Sequence, residues 1–550
     1  MRANNKKHEP QRKTETAMTS EDSSIAHVVK IAEDSARSSF FLILGSLLAT
    51  IISAISTILI GRFLGPELYG QYALAIVVPQ LLFLFADIGI NQGLMKFSAS
   101  LRSKGETSRL VPLIKHALIF RVMIGLVISA TNFAFAGYFA TYLLNRPDLE
   151  PYISIASISI IFQVIATTAT SSFVGLDKTH LNALTTNLQA IAKVAISLAL
   201  VLLGLGVAGA VTGFVVGYLI AGIAGIALLL AVLRGHTMKQ GESHFLGNLK
   251  VLTSYGLPLY VSVLLTGFVL PYQNLILGLF TSDADVGYFK AAANFVTLIT
   301  VLSLPITTAL LPAFSKLDTT TRSKIKDFFK LANKYTTLLI VPCTVIMIVF
   351  SRDIVLIVYG STFERASQYL STNMILYFLV GIGYLTLVSL FNGLGETRLV
   401  LRTTLTNFAI FLVLTPLLTQ SYGVQGLIVA FLTSSAVGTV YGYYLARSRF
   451  DIEFAKKAIV KIYVASLMSA LPALAFLYAS PLPRMINVAA GIVLYLLTYI
   501  TVIPALKAIT AHELERLALV LGGIRLLNWF LRPLLRFEAR ILEHFDHTGA

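Results

Sequence analysis

Long apolar stretches, separated by short polar connections, dominate the chain. A bilayer core about 30 Å thick requires roughly 20 apolar residues per helix, and fourteen stretches of about that length follow one another. We predict spans at 38–61, 71–95, 112–140, 151–173, 181–204, 208–233, 251–279, 286–312, 328–350, 367–392, 399–418, 423–446, 457–480 and 484–507. This pattern is typical of an all-α polytopic membrane protein.

A second copy of the same pattern begins about 217 residues after the first. GRFLGPELYGQY, which starts at Gly61, aligns with GLFTSDADVGYF, which starts at Gly278. FVGLDKT from Phe173 aligns with FNGLGET from Phe391, and GVAG at Gly206 aligns with a later GVQG. Because each copy holds an even number of spans, both copies insert in the same orientation. We predict two six-helix lobes around a central cavity, with two additional helices outside the repeat.

The repeat and the polar segments divide the chain into six parts. The first span is preceded by a mixed-charge segment without a cleavage site, so we interpret that span as an uncleaved anchor. The last segment has an amphipathic pattern that suits either an anionic membrane surface or packing on the cytoplasmic loops. The predicted parts are a cytoplasmic N-terminal segment (1–37), an N-lobe (38–234), a cytoplasmic linker (235–250), a C-lobe (251–447), two further spans (448–507) and a cytoplasmic amphipathic tail (508–550).

The composition supports a membrane protein and excludes a soluble enzyme as the main body. Of the 550 residues, 56% are hydrophobic and only 13% are charged. The single cysteine, Cys343, excludes a disulfide framework and a CxxC metal site, so we expect no metal and no other cofactor. The 43 Lys and Arg residues exceed the 27 Asp and Glu residues and leave a formal charge of +16, a surplus that often indicates a nucleic-acid partner.

The positions of the cations explain this surplus without a nucleic acid. On alternate sides of the predicted spans, 34 cations lie in one set of connections and five lie in the other. Since Lys and Arg accumulate on the cytoplasmic side, we predict a multi-pass protein of the cytoplasmic membrane with both termini in the cytoplasm. The five cations of the outer set are Arg62, Arg146, Arg352, Arg365 and Arg484.

Four cations fall inside predicted spans. Arg121 and Lys193 lie near the middle of the bilayer, whereas Lys290 and Lys334 lie close enough to its boundaries to reach the surface. Charge within a membrane is expensive and usually functional, although a structural ion pair between Arg121 and Asp87 is an alternative. Cations at depth with few anions indicate that the transported species is negatively charged, such as a phosphate or diphosphate.

Polar side chains also recur on single faces of several spans. Ser46, Thr50, Ser53 and Thr57 follow one face of the first span, and we interpret them as packing residues, because small residues are common at the interfaces of membrane helices. Charged and amide side chains are better candidates for a cavity, since polar groups facing lipid cost free energy. The candidate cavity residues are Arg62, Asp87, Asn91, Arg121, Lys193, Gln273, Lys290 and Asn294.

Three motifs carry a resemblance to a known family. GRFLGPELYGQYA begins at Gly61, FADIGINQGLMKFSA begins at Phe85, and a Gly-Leu-x-x-Thr element occurs at Gly175 and at Gly393. With these motifs the chain resembles polysaccharide export flippases of the multidrug/oligosaccharidyl-lipid/polysaccharide exporter superfamily. The resemblance spans nearly all of 38–507, and it implies fourteen helices, two lobes and translocation of polyprenyl-linked oligosaccharides through a cationic cavity.

The leading hypothesis is therefore a flippase for a lipid-linked oligosaccharide that works by alternating access. Its partners would be that substrate, membrane lipids and glycan-assembly enzymes, and no nucleic acid. No Walker-type ATP motif occurs, so no ATP motor is built into this chain, and we infer a secondary transporter or flippase whose coupling ion, H+ or Na+, the sequence leaves open.

Two other functions remain open at this stage. A cation-coupled multidrug exporter of the same superfamily would require acidic cavity residues, and Asp87 is the only deep candidate. A membrane glycosyltransferase is suggested by the D-x-D pattern of Asp283 and Asp285 in an outer connection, although acidic residues commonly cap a following helix.

Overall fold

The computed structural model describes residues 44–234, 244–317 and 322–509, and within these ranges it contains helices and no β-strand. The predicted N-terminal segment, most of the linker and all but the first two residues of the tail lie outside the described residues. The longer helices are α1 (Leu44–Leu84), α2 (Ile90–Ser103), α3 (Thr107–Ala134), α4 (Pro147–Gly175), α5 (Thr179–Leu200), α6 (Gly206–Leu233), α7 (Phe245–Phe280), α8 (Asp283–Ser315), α9 (Arg322–Val349), α10 (Ser351–Val358), α11 (Ala366–Ile382), α12 (Thr386–Gly393), α13 (Thr397–Phe450), α14 (Lys456–Ala479) and α15 (Arg484–Ala505).

The multi-pass membrane architecture is confirmed, although the count differs from the prediction. Ten helical segments in the described ranges are long and apolar enough to cross a membrane, or eleven if α11 and α12, which meet at a 48° bend, form one span. The predicted number of fourteen is not reached by this criterion. Most helix bounds agree with the predicted spans to within several residues. The exceptions are the first two predicted spans, which share the helix Leu44–Leu84 and run into α2, and α7, which begins at Phe245 inside the predicted linker.

Three of the ten segments are long enough for two spans, and the shortest of them is Leu44–Leu84, whose 41 residues include Gly65 at φ 75°. The 55 residues of Thr179–Leu233 and the 54 residues of α13 would each extend about 80 Å if straight. Gly206 (φ 49°, ψ −128°) and Gly423 (φ 57°, ψ −138°) interrupt them in a conformation that glycine adopts readily and other residues do not. In α13 the chain then turns back, so that Gly438 packs against Asn407. Each of these two longer segments therefore contributes two antiparallel arms.

The sequence repeat corresponds to a structural repeat. Helix α5 begins at Thr179 and α13 begins at Thr397, each directly after its Gly-Leu-x-x-Thr element. The glycine of that element ends α4 in the first lobe and α12 in the second, where Gly175 packs on α2 and Gly393 packs on α8. Equivalent helices therefore occupy equivalent positions in the two lobes.

The two lobes meet closely at the end of the molecule where the turns at Gly206 and Gly423 lie, here called the turn end. Gly70 packs on the backbone of Asp283, and Gly287 packs on the backbone of Pro66. The two contacts are reciprocal, because the repeat of 217 residues relates Gly70 to Gly287 and Pro66 to Asp283. A Cβ atom at either glycine would overlap a carbonyl oxygen of the other lobe.

Arginine side chains strengthen the turn end. Arg146 of the N-lobe bonds to the Asp283 carboxylate, to the carbonyl oxygen of Gly278 and, at 2.7 Å, to that of Thr281. This places a cation at the carboxyl end of α7, where the helix dipole favours positive charge. Arg62 donates to the carbonyl oxygens of Ile357 and Val358 in α10. The other arginines at this end form ion pairs, namely Arg352 with Glu364, Arg365 with Asp285 and Arg484 with Asp353.

At the opposite end, here called the basic end because the Lys- and Arg-rich connections lie there, the lobes are further apart. Hydrophobic clusters near the turn end combine residues of both lobes, such as Tyr69 with Tyr359 and Leu74 with Leu277. Near the basic end, the described cluster around Phe329 contains C-lobe residues alone. The lobes therefore share hydrophobic clusters at the turn end, whereas the described clusters at the basic end join them through α7 alone.

Helix α7 is the exception, because it belongs to both lobes. Its first half crosses α2 of the N-lobe, where Gly89 and Gly256 approach backbone to backbone. Its second half packs on α13 of the C-lobe, where the Tyr272 hydroxyl donates to the carbonyl oxygen of Leu412 at 2.9 Å. The predicted C-lobe boundary at residue 251 thus assigns the whole of α7 to one lobe, whereas the structure divides its contacts between two.

Candidate functional site

A cavity of about 300 Å³ lies between the lobes. Helices α1 and α5 of the N-lobe form one wall, and α8 of the C-lobe forms the other. The lining residues are Ala49, Thr50, Ser53, Ala54, Thr57, Thr186, Gln189, Asn294 and Thr297. Because most of these side chains are hydroxyls or amides, the cavity is polar within a chain whose other surfaces are largely apolar.

Two lysines from opposite lobes stand next to this cavity. Lys193 is one turn beyond Gln189 on α5, and Lys290 is one turn before Asn294 on α8, so each follows the lining face of its helix. Both lysines carry a positive charge, one on each side of the same cavity. Lys193 also lies 5.9 Å from the centroid of the Phe214 ring, at the outer limit of a cation–π contact.

Neither lysine pairs with a carboxylate of the described residues. In the described part of the chain, no carboxylate lies within 4.0 Å of Lys193 or of Lys290. Two like charges brought together without a counter-ion raise the free energy of the site, and an anion placed between them would lower it. The arrangement can therefore bind an anionic group that contacts both lobes at once.

Asn294 is held at the cavity wall by two tyrosines. Its Nδ2 atom donates to the Tyr69 hydroxyl at 3.1 Å and to the Tyr359 hydroxyl at 2.7 Å. Both tyrosine rings are buried in the cluster that joins the lobes at the turn end. Because Nδ2 has both donors occupied, Oδ1 remains as the acceptor that Asn294 can offer to a ligand.

The serine and threonine stripe of α1 has a different role from the one predicted. Thr50, Ser53 and Thr57 line the cavity, so the interpretation of the stripe as packing residues is wrong for these three positions. Their hydroxyls can bond locally, as that of Thr57 does to the carbonyl oxygen of Ser53. The stripe correctly identified the polar face of α1, but the sequence did not indicate whether that face would pack on a helix or line a cavity.

Arg121 forms a separate polar cluster inside the N-lobe. Its guanidinium is fully buried and lies 3.6 Å from the Asp87 carboxylate, and it does not line the cavity. Asp87 also accepts a hydrogen bond from the backbone of Asn91 at the start of α2. The kink before α2 brings the Asp87 carboxylate beside α3, as the structural alternative expects, while the Nε, Nη1 and Nη2 atoms of Arg121 are buried without a hydrogen-bond partner among the described residues. Asp87, Asn91 and Arg121 stand together, apart from the two lysines.

The remaining candidates are not part of the cavity. Arg62 is exposed at the turn end, where its guanidinium donates hydrogen bonds to carbonyl oxygens of α10. Gln273 is buried in α7, at 7% exposure. Lys334 is 6% exposed and does not reach the surface as expected, because α9 packs between α11 and α14. Of the eight candidate cavity residues, Lys193, Lys290 and Asn294 are brought together at the interlobe cavity.

The D-x-D pattern has a structural role. Asp283 pairs with Arg146, and Asp285 accepts from the Tyr369 hydroxyl at 3.3 Å. Both lie in the first turn of α8, whose N-cap Ser282 accepts a hydrogen bond from the backbone of Asp285. Among the described residues no group of three His, Cys, Asp or Glu side chains could hold a metal ion. The capping interpretation accounts for this pattern.

Comparison with known proteins identifies relatives of the chain. A family model described as polysaccharide biosynthesis protein matches residues 35–318. The chain is also similar to the probable low-salt glycan biosynthesis flippase Agl15 of Haloferax volcanii. The two are 24% identical over 447 residues, which cover 80% of this chain and 89% of the relative.

Solved structures share the fold. The lipid II flippase MurJ in an inward closed conformation superposes with a TM-score of 0.67 at 16% identity, over 84% of this chain and 98% of that one. An inward-facing multidrug resistance transporter of the MATE family, in the MOP superfamily, superposes with a TM-score of 0.59 at 15% identity, over 73% of this chain and 94% of that one. The all-α polytopic fold predicted from the sequence is thereby confirmed, without the count of fourteen helices.

Proposed function

The chain belongs to the polysaccharide biosynthesis protein family, and we propose that it is a flippase for a polyprenyl-(di)phosphate-linked oligosaccharide in the cytoplasmic membrane. It would serve the assembly of a cell-surface glycan, beside glycan-assembly enzymes. The observation that carries the proposal is the pair Lys193 and Lys290, which follow the lining faces of α5 and α8 from opposite lobes and have no carboxylate within 4.0 Å in the described part of the chain. A phosphate is the part of such a lipid that this pair would bind.

The hydrophobic clusters that both lobes share at the turn end suggest the direction of loading. We assign the basic end to the cytoplasm, in agreement with the positions of the Lys and Arg residues. A substrate would then enter from the cytoplasmic side, with its phosphate between the lysines and its lipid tail outside the lobes. Neutralising the two charges removes the repulsion between α5 and α8, so the lobes can approach at the basic end while the turn end opens.

A drug exporter is a weaker candidate for this cavity. Such a protein would bind cationic compounds through a free carboxylate, and Asp87 was the only deep candidate. Asp87 is paired with Arg121 instead, and no acidic side chain lines the interlobe cavity. Two unpaired lysines repel a cationic drug and attract an anionic lipid.

A flipping assay tests the proposal. The full chain is reconstituted in proteoliposomes with a fluorescent polyprenyl-diphosphate sugar, and translocation is followed by quenching from one side. Lys193→Met and Lys290→Met should each reduce flipping at least tenfold, because each removes one charge-assisted contact. Lys104→Met, which removes an exposed lysine between α2 and α3, is the control and should flip normally. Full activity of both cavity variants would contradict the proposal.

A further inference from the structure

The C-lobe contains a second pocket that the lysine pair does not explain. It has a volume of about 450 Å³, within the range of small-molecule sites, and lies between α7, α8, α12 and α13. An adjoining space of about 90 Å³ shares Tyr384, Val388, Thr404 and Asn407 with it. The pocket is bounded by the bend between α11 and α12 and by the part of α7 that turns toward the N-lobe.

The pocket lies on the face of α13 that corresponds, in the repeat, to the face of α5 that carries Lys193. Helices α5 and α13 start 218 residues apart, so Thr186 and Gln189 correspond to Thr404 and Asn407. The first two line the interlobe cavity, and the last two line the C-lobe pocket. A threonine and an amide residue are therefore present on the same face of both equivalent helices.

The two faces differ in charge at the next turn. Lys193 of α5 corresponds to Phe411 of α13, which is buried in the wall of the pocket. The rings of Phe408 and Phe431 complete an aromatic surface, and among the residues that line the pocket none is charged. A pocket of this kind favours an uncharged ligand that offers both apolar faces and hydrogen-bonding groups.

Three polar side chains of the pocket are free to bind such a ligand. Within the described ranges, the side chains of Tyr384, Thr404 and Asn407 make no hydrogen bond to the protein, whereas the other hydroxyls of the lining bond to nearby carbonyl oxygens. A hydrocarbon chain would cover these groups and leave them unsatisfied, which costs free energy. The hydroxyls of a sugar ring would satisfy them, and its C–H groups would pack on the aromatic rings.

The pocket extends from the level of the lysines toward the basic end. Phe411 at one end of it corresponds to Lys193, and Thr307 at the other end lies 17 residues, or about 25 Å, beyond Lys290 along α8. A phosphate held at Lys290 would place the sugars that follow it in this direction.

We infer that the C-lobe pocket binds a neutral sugar of the glycan, next to the phosphate that the lysines bind. The inference rests on the proposed function and adds a specificity site to it. The lysine pair would recognise the anion that all such carriers share, and the pocket would distinguish the attached glycan.

Binding to the full-length protein in nanodiscs separates the two sites. The probes are polyprenyl diphosphate without a sugar, the same lipid with one neutral hexose, and the same lipid with one hexuronate. The unsubstituted protein should bind the hexose lipid about tenfold more tightly than either of the others. Asn407→Leu and Thr404→Val should reduce this ratio to about one while they leave the affinity for the sugar-free lipid unchanged.

The controls distinguish failure of the pocket from failure of the proposed function. Thr406→Val makes the same change as Thr404→Val, but its hydroxyl bonds to the carbonyl oxygen of Arg402 outside the pocket, so it should keep the tenfold ratio. Lys290→Met should weaken all three lipids equally, and normal binding of the sugar-free lipid by this variant would refute the phosphate site alone. Equal affinity of the unsubstituted protein for hexose and sugar-free lipids, or an unchanged ratio in Asn407→Leu and Thr404→Val, would refute the sugar site. Weaker binding of every lipid by these two variants would identify the pocket as a site for the prenyl chain and would also overturn the inference.

Discussion

Helix α5 of the N-lobe and the first arm of α13 of the C-lobe are equivalent elements with different chemistry. Both begin at the threonine of a Gly-Leu-x-x-Thr element, and both present a hydroxyl and an amide on one face. One turn further, α5 has Lys193 beside the interlobe cavity and α13 has Phe411 in an apolar wall. The repeat thus preserves the helix positions, while single substitutions give one lobe a cationic face and the other a neutral one.

The difference also extends to how the lobes close. In the N-lobe, the first residues of α1 pack on α5, where Gly45 contacts Ala183 and Asn187 donates to the Gly45 carbonyl oxygen at 3.1 Å. In the C-lobe, the equivalent helix α7 turns toward the N-lobe, and the pocket occupies the space that it leaves. The comparison predicts which substitutions each lobe tolerates.

The largest effect is expected where a charge is placed on the neutral face. Phe411 is 1% exposed, so Phe411→Lys buries an ammonium group without a partner at a cost of several kcal/mol. We expect the variant to be poorly folded, with a strongly lowered melting temperature in detergent, whereas Phe411→Met should melt close to the unsubstituted protein. Normal melting of Phe411→Lys would show that water reaches this wall.

The reciprocal substitution should abolish most transport without loss of the fold. Lys193 is partly exposed beside a polar cavity, so Lys193→Phe gives α5 the residue of α13 and removes one of two charges. Loss of one charge-assisted bond should reduce flipping of a polyprenyl-diphosphate sugar by tenfold to about a hundredfold. The melting temperature serves as the control and should stay within a few degrees. Lys193→Arg, which keeps the charge, should retain most of the flipping.

A moderate and symmetric effect is expected where the lobes are equivalent. Gly70→Ala and Gly287→Ala each place a Cβ atom against backbone of the other lobe, and overpacking of this kind costs about 1–3 kcal/mol. Both variants should raise the ratio of open to closed molecules at the turn end by a similar factor, about tenfold. The ratio is measured from distances between spin labels, one on each lobe, in a Cys343→Ser background. Gly247→Ala, whose Cβ atom has only ordinary contacts, should leave the distances unchanged. Opening in one of the two variants alone would contradict the reciprocal arrangement.

The smallest effect is expected at the contact that closes the N-lobe. The residue of α13 that corresponds to Asn187 is Leu405, so Asn187→Leu transfers the C-lobe residue into the N-lobe. It removes the hydrogen bond to Gly45 and should destabilise the protein by about 1 kcal/mol, measured by thermal unfolding. Asn182→Leu, one turn nearer the basic end on the same helix, is the comparison. Equal losses of stability in Asn187→Leu and Asn182→Leu would mean that the hydrogen bond to α1 does not itself stabilise the protein.

The sequence was sufficient for most of the fold. Apolar length is a property of each segment, so the membrane-spanning helices and the repeat were predicted, although the number of spans differs from fourteen. The glycines of the repeat were recognised as landmarks, but their role in the contact between Gly70 and Asp283 required the structure. Helix α7 was assigned to one lobe, because nothing in its apolar pattern indicates that Gly256 meets Gly89.

The candidate site was predicted only in part. Lys193, Lys290 and Asn294 were selected for their charge or polarity at depth, and they lie together. Arg121 satisfied the same criterion, yet its neighbour is the Asp87 carboxylate. The threonines of α1 were set aside, since a small hydroxyl residue packs against a helix as readily as it lines a cavity.

By itself, the sequence determined that this protein is helical and crosses a membrane, and that it consists of two related halves with cations at depth. Hydropathy and charge act on each segment whatever its neighbours are, so the membrane-spanning segments can be predicted from the local sequence. Only the tertiary structure decided which cations meet. Lys193 and Lys290 are close because the reciprocal glycine contacts join the lobes, and the charge of Arg121 is balanced because the chain kinks before α2. Electrostatic interaction depends on the distance between groups that are far apart in sequence, and packing alone sets that distance.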